Sequence, residues 1–126
     1  MVLLLVTACT SQKHDPLLED AAKYHREAME LAAQLETRLD SLAESKSVSE
    51  DSVRAWHLAI DSWERDVIEV PGYDHDDHGE THDHHHHEHK APPPDLTSQQ
   101  MRDVQQELLQ RLQDIESRLE SIIRKK

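Results

Sequence analysis

Apolar residues recur at alternating spacings of three and four between Leu18 and Leu42. The positions are Leu18, Ala21, Ala28, Ala32, Leu35, Leu39 and Leu42, with His25 filling the one gap. This heptad-like seam predicts a long amphipathic helix. Leu17, Tyr24 and Leu31 widen the stripe, which suits a bundle better than a two-stranded coil. Asp15-Pro16 supplies the start, with Asp as N-cap and Pro at the first helical position. Glu19 and Asp20 complement the positive end of the dipole.

The stretch Glu44-Ser45-Lys46-Ser47 interrupts the pattern, and Ser47 with Glu50 reads as a capping box. A second stripe follows at Val53, Trp56, Ile60, Trp63, Val67 and Val70, ended by Pro71-Gly72. The short break predicts that helices one and two are antiparallel neighbours. Thr97 and Gln100 form another capping box ahead of Met101, Val104, Leu108, Leu112, Ile115, Leu119 and Ile122. Arg124, Lys125 and Lys126 place positive charge at that helix's negative end. The expected fold is all-α: an elongated, antiparallel up-down-up three-helix bundle with a long disordered His-rich loop between helices two and three. Its parts are a helical hairpin over 16–70, a loop over 71–96 and a third helix over 97–126. Both Trp residues lie on the second helix and are read as core, so that helix is expected to be central. A dimer completing a larger bundle is the competing assembly, because three thin helices give a modest core.

Composition narrows the field. The 126 residues include no Phe and only two Gly, which disfavours both a β-barrel and a doubly wound nucleotide fold. A formal charge of −12 argues against nucleic acid as a partner. Protonating all 11 histidines would take that charge to −1, so mild acidification should promote self-association.

Most of the chemistry is concentrated in Asp74–His89, DHDDHGETHDHHHHEH. Eight of these sixteen residues are His and six are Asp or Glu, with no apolar side chain among them. Such a segment cannot repay its ordering entropy by burial. Neutral imidazole suits Zn²⁺, Ni²⁺, Cu²⁺ and Co²⁺, and adjacent carboxylates can ligate or support the ligands. The candidate metal ligands are His75, His78, His82, His84, His85, His86, His87 and His89. They are expected to form several exchangeable sites, with Zn²⁺ first and Ni²⁺, Cu²⁺ or Co²⁺ as competitors, and with affinity falling below pH ~6.5. A solvated low-complexity loop and a metal-free charge switch are the plainer readings. Ala91-Pro92-Pro93-Pro94 stiffens the exit.

At Val6-Thr7-Ala8-Cys9 the chain resembles the lipobox of bacterial lipoproteins, an apolar residue and two small ones before Cys. The resemblance implies a signal peptide over 1–8, lipidation of Cys9 and a tether over 9–15. No Lys or Arg precedes the apolar run, a departure that a start codon called too late explains. Thr10 after the Cys implies, by analogy, the periplasmic face of the outer membrane. The plainer reading of Cys9 is a free thiol near a terminus. If helix one starts near the lipid and helix two returns, the His-rich segment leaves the membrane-proximal end, where a transporter could receive its ions.

His25 and Met29 share one face of the first helix, and His57 lies on the second. They are a possible second, softer metal site, weighed against a core-edge histidine and a packing methionine. His25–Met29 with Trp56 and Trp63 is loosely similar to small helical lipoproteins of Bacteroidota. Leu96-Thr97-Ser98-Gln99-Gln100 weakly resembles the LTxxQ element of periplasmic stress proteins related to Spy and CpxP. No nucleophile motif, His-Glu-x-x-His or phosphate loop occurs, so an enzyme is not expected. The leading expectation is a lipid-anchored periplasmic metal-binding protein. The alternative is a structural or chaperone-like helical lipoprotein that binds another protein, with metal binding incidental.

Overall fold

The computed structural model describes residues 14–73 and 90–125. These residues form three α-helices and no strand: α1 (Pro16–Glu44), α2 (Glu50–Glu64) and α3 (Ser98–Arg124). At ~1.5 Å per residue they run about 43, 22 and 40 Å. Asp15 caps α1 by accepting a hydrogen bond from the Leu17 amide, with Pro16 beginning the helix. Thr97 and Gln100 form a complete reciprocal capping box at α3. The LTxxQ pattern is therefore used locally as a helix start.

Helices α1 and α3 make the most extensive pairing, and they run parallel. Asp15 accepts from the Ser98 hydroxyl, Asp20 pairs with Arg102, His25 meets Gln105 and Arg38 pairs with Glu120. α2 runs back against both, so the helix packing is compatible with a bundle. Its position is peripheral, which corrects the expectation that the tryptophan helix is central. The reason lies in side-chain size. Ala21, Ala28 and Ala32 on α1 leave room for Met101, Leu108 and Leu112 of α3 to approach, and all six are buried. Trp63 fills the space beneath α2 at 1% exposure, and its indole N–H donates to the Leu108 carbonyl at 2.8 Å. Trp56 is only half-buried, packed on the edge of this core, so one tryptophan rather than two anchors α2.

Both ends of α2 depart from expectation. Its N-cap is Ser49, whose hydroxyl accepts from the Ser52 amide, and not Ser47. Starting at Ser49 puts Val48 and Val53 at the two hydrophobic-staple positions, and both are buried. Upstream, Lys46 takes φ 51° and closes α1: its amide donates to Ala43 and the Ser47 amide to Leu42. That pair of bonds is a Schellman ending with Lys where Gly is usual. At the other end α2 stops at Glu64 and does not continue to Val70. Val67, Ile68 and Val70 are β-branched, and Val70 precedes Pro71, which disfavours helical backbone there. Val67 and Val70 are still buried, but from an extended segment.

Candidate functional site

The eight candidate ligands between His75 and His89, and Cys9, lie outside the described residues. The described flanks of the His-rich segment are informative. Val70-Pro71-Gly72-Tyr73 turns back with the Tyr73 amide donating to the Val70 carbonyl. Gly72 has φ +79°, the left-handed value that the third position of a type II turn requires. On the other flank, Lys90 forms a parallel bridge with Ile68. The Glu69 amide donates to the Lys90 carbonyl at 3.1 Å, and the Lys90 amide donates to Val67 at 3.2 Å. This backbone clasp joins the two flanks of the segment.

The clasp stands at the α1 start. Val70 is buried with Ala21, Ala22 and Met101, while Ile68, Tyr73, Leu96 and Leu18 pack around them. Asp15 and Ser98 tie the first turns of α1 and α3 together at the same end. The Ser98 hydroxyl, and then the Leu17 amide, hold the Asp15 carboxyl below its ordinary pKa. The N-terminal approach to α1 and both flanks of residues 74–89 thus share one end of the molecule.

Under the clasp lies a buried polar group that the sequence pattern only half revealed. His25 is 3% exposed and Gln105 is 0% exposed. The Gln105 amide nitrogen donates to the Ile68 carbonyl at 2.6 Å and approaches the Met101 sulfur at 3.6 Å. Its oxygen lies 3.0 Å from His25 Nδ1. The orientation of that amide follows from Ile68, because turning it round would set oxygen against carbonyl oxygen. Gln105 Oε1 can only accept, so His25 Nδ1 carries the hydrogen and donates it. His25 Nε2 then faces the Glu69 carboxylate at 4.0 Å. The apolar stripe of α3 runs through Val104, which is only partly buried, whereas its polar neighbour Gln105 is buried. The signal that could have found it is a polar residue between Met101 and Leu108/Leu109 on one helix, opposite a lone polar residue, His25, on another.

The structure does not gather His25, Met29 and His57. His57 Nε2 lies 3.7 Å from Asp40, which is 15 residues, or about 22 Å of helix, beyond His25. Met29 lines an open surface hollow with Lys23, Arg26, Glu27 and Glu30. Among the described residues, no three or more His, Cys, Asp or Glu side chains converge as a metal site. His25 is used in the core as a hydrogen-bonding residue. No helix of the described residues is long and apolar enough to cross a membrane. No family model, no curated protein and no solved structure was found to match this chain.

Proposed function

We propose that this chain is a lipid-anchored protein of the bacterial envelope that buffers, captures or hands on divalent transition metals. The observation that carries the reading is the composition of Asp74–His89, eight imidazoles and six carboxylates in sixteen residues. So dense a donor set binds Zn²⁺, Ni²⁺, Cu²⁺ or Co²⁺ through any three or four convergent ligands, with Zn²⁺ the principal expected cargo. The clasp at Lys90 supports a role for the segment as a discrete unit carried by the helices. The Val6–Cys9 motif supports anchoring through Cys9, on the periplasmic face of the outer membrane, and a membrane transporter is the partner that would receive the ion. The protein acts by binding and not by catalysis. The composition offers imidazoles and carboxylates but no nucleophile motif or fixed catalytic pair.

The test is a calorimetric titration with Zn²⁺ and Ni²⁺ of the Cys9→Ala chain. A second chain, with residues 74–89 replaced by Gly and Ser at equal length, is titrated beside it. Low-micromolar or tighter binding of more than one ion, lost in the replacement, supports the reading. Binding that survives the replacement, or is only millimolar, removes it.

A further inference from the structure

Helix α2 has two unlike faces. Val53, Ile60 and Trp63 turn inward and are buried. On the opposite side Asp51, Arg54, Ala55, Leu58, Ser62 and Arg65 are exposed, and Asp61 is half-buried. Leu58 is 59% exposed, against 37% for Ile122, the other exposed large apolar side chain among the described residues. A single water-facing leucine needs no explanation. The residues around this one, however, are ordered. From Asp51 through Leu58 to Arg65 they recur at the three-and-four spacing of a heptad seam. Arg65, the C-cap, has φ −63° and ψ −19°, so it continues the same face. The charges along the seam run minus at Asp51 and plus at Arg54, then, past Leu58, minus at Asp61 and plus at Arg65. No ion pair among the described residues uses any of these four side chains.

We propose that this face of α2 docks a second copy of the chain, as an antiparallel, two-fold symmetric pair of α2 helices centred on Leu58. A two-fold axis at Leu58 sets each residue before it opposite the partner's residue the same distance after it. Asp51 and Arg65 are each seven places from Leu58, or about 10 Å along the helix, so Asp51 meets the partner's Arg65. Arg54 lies four places before Leu58 and Asp61 three places after it. At about 100° per residue both fall on the same side of the seam, so Arg54 meets the partner's Asp61. Ala55 and Ser62 fall together on the other side, where their small side chains admit close approach. Symmetry repeats each pairing, which gives four ion pairs around one leucine contact. The same charges select the orientation. A parallel pair in register would set Asp51 on Asp51 and Arg54 on Arg54, like charge on like. One short helix face is small for a protein interface, and a charge of −12 on each chain opposes approach. The pair is therefore weak, dissociating at about 10–1000 μM. It goes beyond the metal reading and does not depend on it.

The experiment is sedimentation equilibrium of the full chain from about 10 μM to about 1 mM. The buffer is held at about pH 8 and about 0.15 M salt with a chelator and a reductant, so histidine protonation, metal bridging and a Cys9 disulfide play no part. A monomer–dimer equilibrium is expected. Leu58→Glu should weaken it at least about tenfold by setting two carboxylates at the centre, whereas Ile122→Gln should leave it unchanged. Arg54→Asp turns two ion pairs repulsive and should also weaken it at least about tenfold, as should Asp61→Arg. Mixed in equal amounts, these last two variants should associate as the parent does, because every Asp then meets an Arg of the other chain. All the substituted side chains lie on outer surfaces, and unchanged circular dichroism shows that each variant keeps its helices. Three results would each overturn the proposal: a parent chain still monomeric at about 1 mM, a dimer indifferent to Leu58→Glu, or a mixture no better associated than its two components. The chelator is present in every arm, so failure here leaves the metal reading untouched, and failure of that reading leaves this one.

Discussion

Replacing Gln105 by Leu separates hydrogen bonding from packing at the centre of the molecule. Leucine has nearly the volume of glutamine and is favoured at a helical position that is 0% exposed. By apolar burial alone Gln105→Leu should stabilise, by about 1.5–3 kcal/mol. The structure predicts the reverse. The substitution orphans the Ile68 carbonyl and the His25 Nδ1–H, which Gln105 satisfies at 2.6 and 3.0 Å. The two orphans at about 1–3 kcal/mol each cost about 2–6 kcal/mol together, so the net loss centres on about 2 kcal/mol once the apolar gain is subtracted. In a domain of this size that is a fall in Tm of roughly 5–20 °C. Urea and thermal denaturation followed by circular dichroism would measure it. Gln105→Glu provides a second check: its carboxylate still accepts from His25 but meets Ile68 as acceptor against acceptor, so it should be no more stable than Gln105→Leu. A Gln105→Leu protein as stable as the parent would refute the hydrogen-bond relay and reduce Gln105 to a space-filling residue.

Three further outcomes are expected. Lys46→Gly should stabilise by up to about 1 kcal/mol in urea melts, because φ 51° strains an L-residue and suits glycine at a Schellman ending. Asp15→Asn should flatten the acid limb of the stability curve. The Asp15 pKa is depressed in the folded state, so its contribution is present above the unfolded value and fades as pH falls below about 4. Light scattering should rise as pH drops from 7 to 5 while helicity persists, since the 11 histidines can offset nearly all of the −12 charge. A flat trace would mean that charge repulsion is not what keeps the molecules apart.

The helix starts were legible because their chemistry is local. Asp15-Pro16 and Thr97…Gln100 need only a side chain and an amide two or three residues away. Ser47 and Ser49 were not separable on that basis, since each offers a hydroxyl. Burial of Val48 and Val53 decides between them, and burial is a tertiary fact. The end of α2 misled for a different reason. Val67 and Val70 continue the spacing of Val53, Ile60 and Trp63, and an extended strand of chain can bury the same residues as another helical turn. The β-branched run before Pro71 carried the information that spacing did not. Within the candidate site, His25 was legible as an oddity on an apolar seam. Its partner was not, because the seam of α3 can be drawn through Val104 or Gln105, and only the approach of Ile68 and His25 favours the latter.

The clasp at Lys90 also bears on how this chain can vary over time. Because Glu69 and Val67 bond directly to Lys90, the helices are closed without reference to how many residues lie between Tyr73 and Lys90. In the polymer limit, doubling such a connection costs only ~0.6 kcal/mol. Codons for histidine and aspartate could be duplicated, lost or exchanged there while the three helices kept their packing. On this reasoning the segment is expected to act as a cassette, and a reporter peptide inserted between Tyr73 and Lys90 should be carried without unfolding its host.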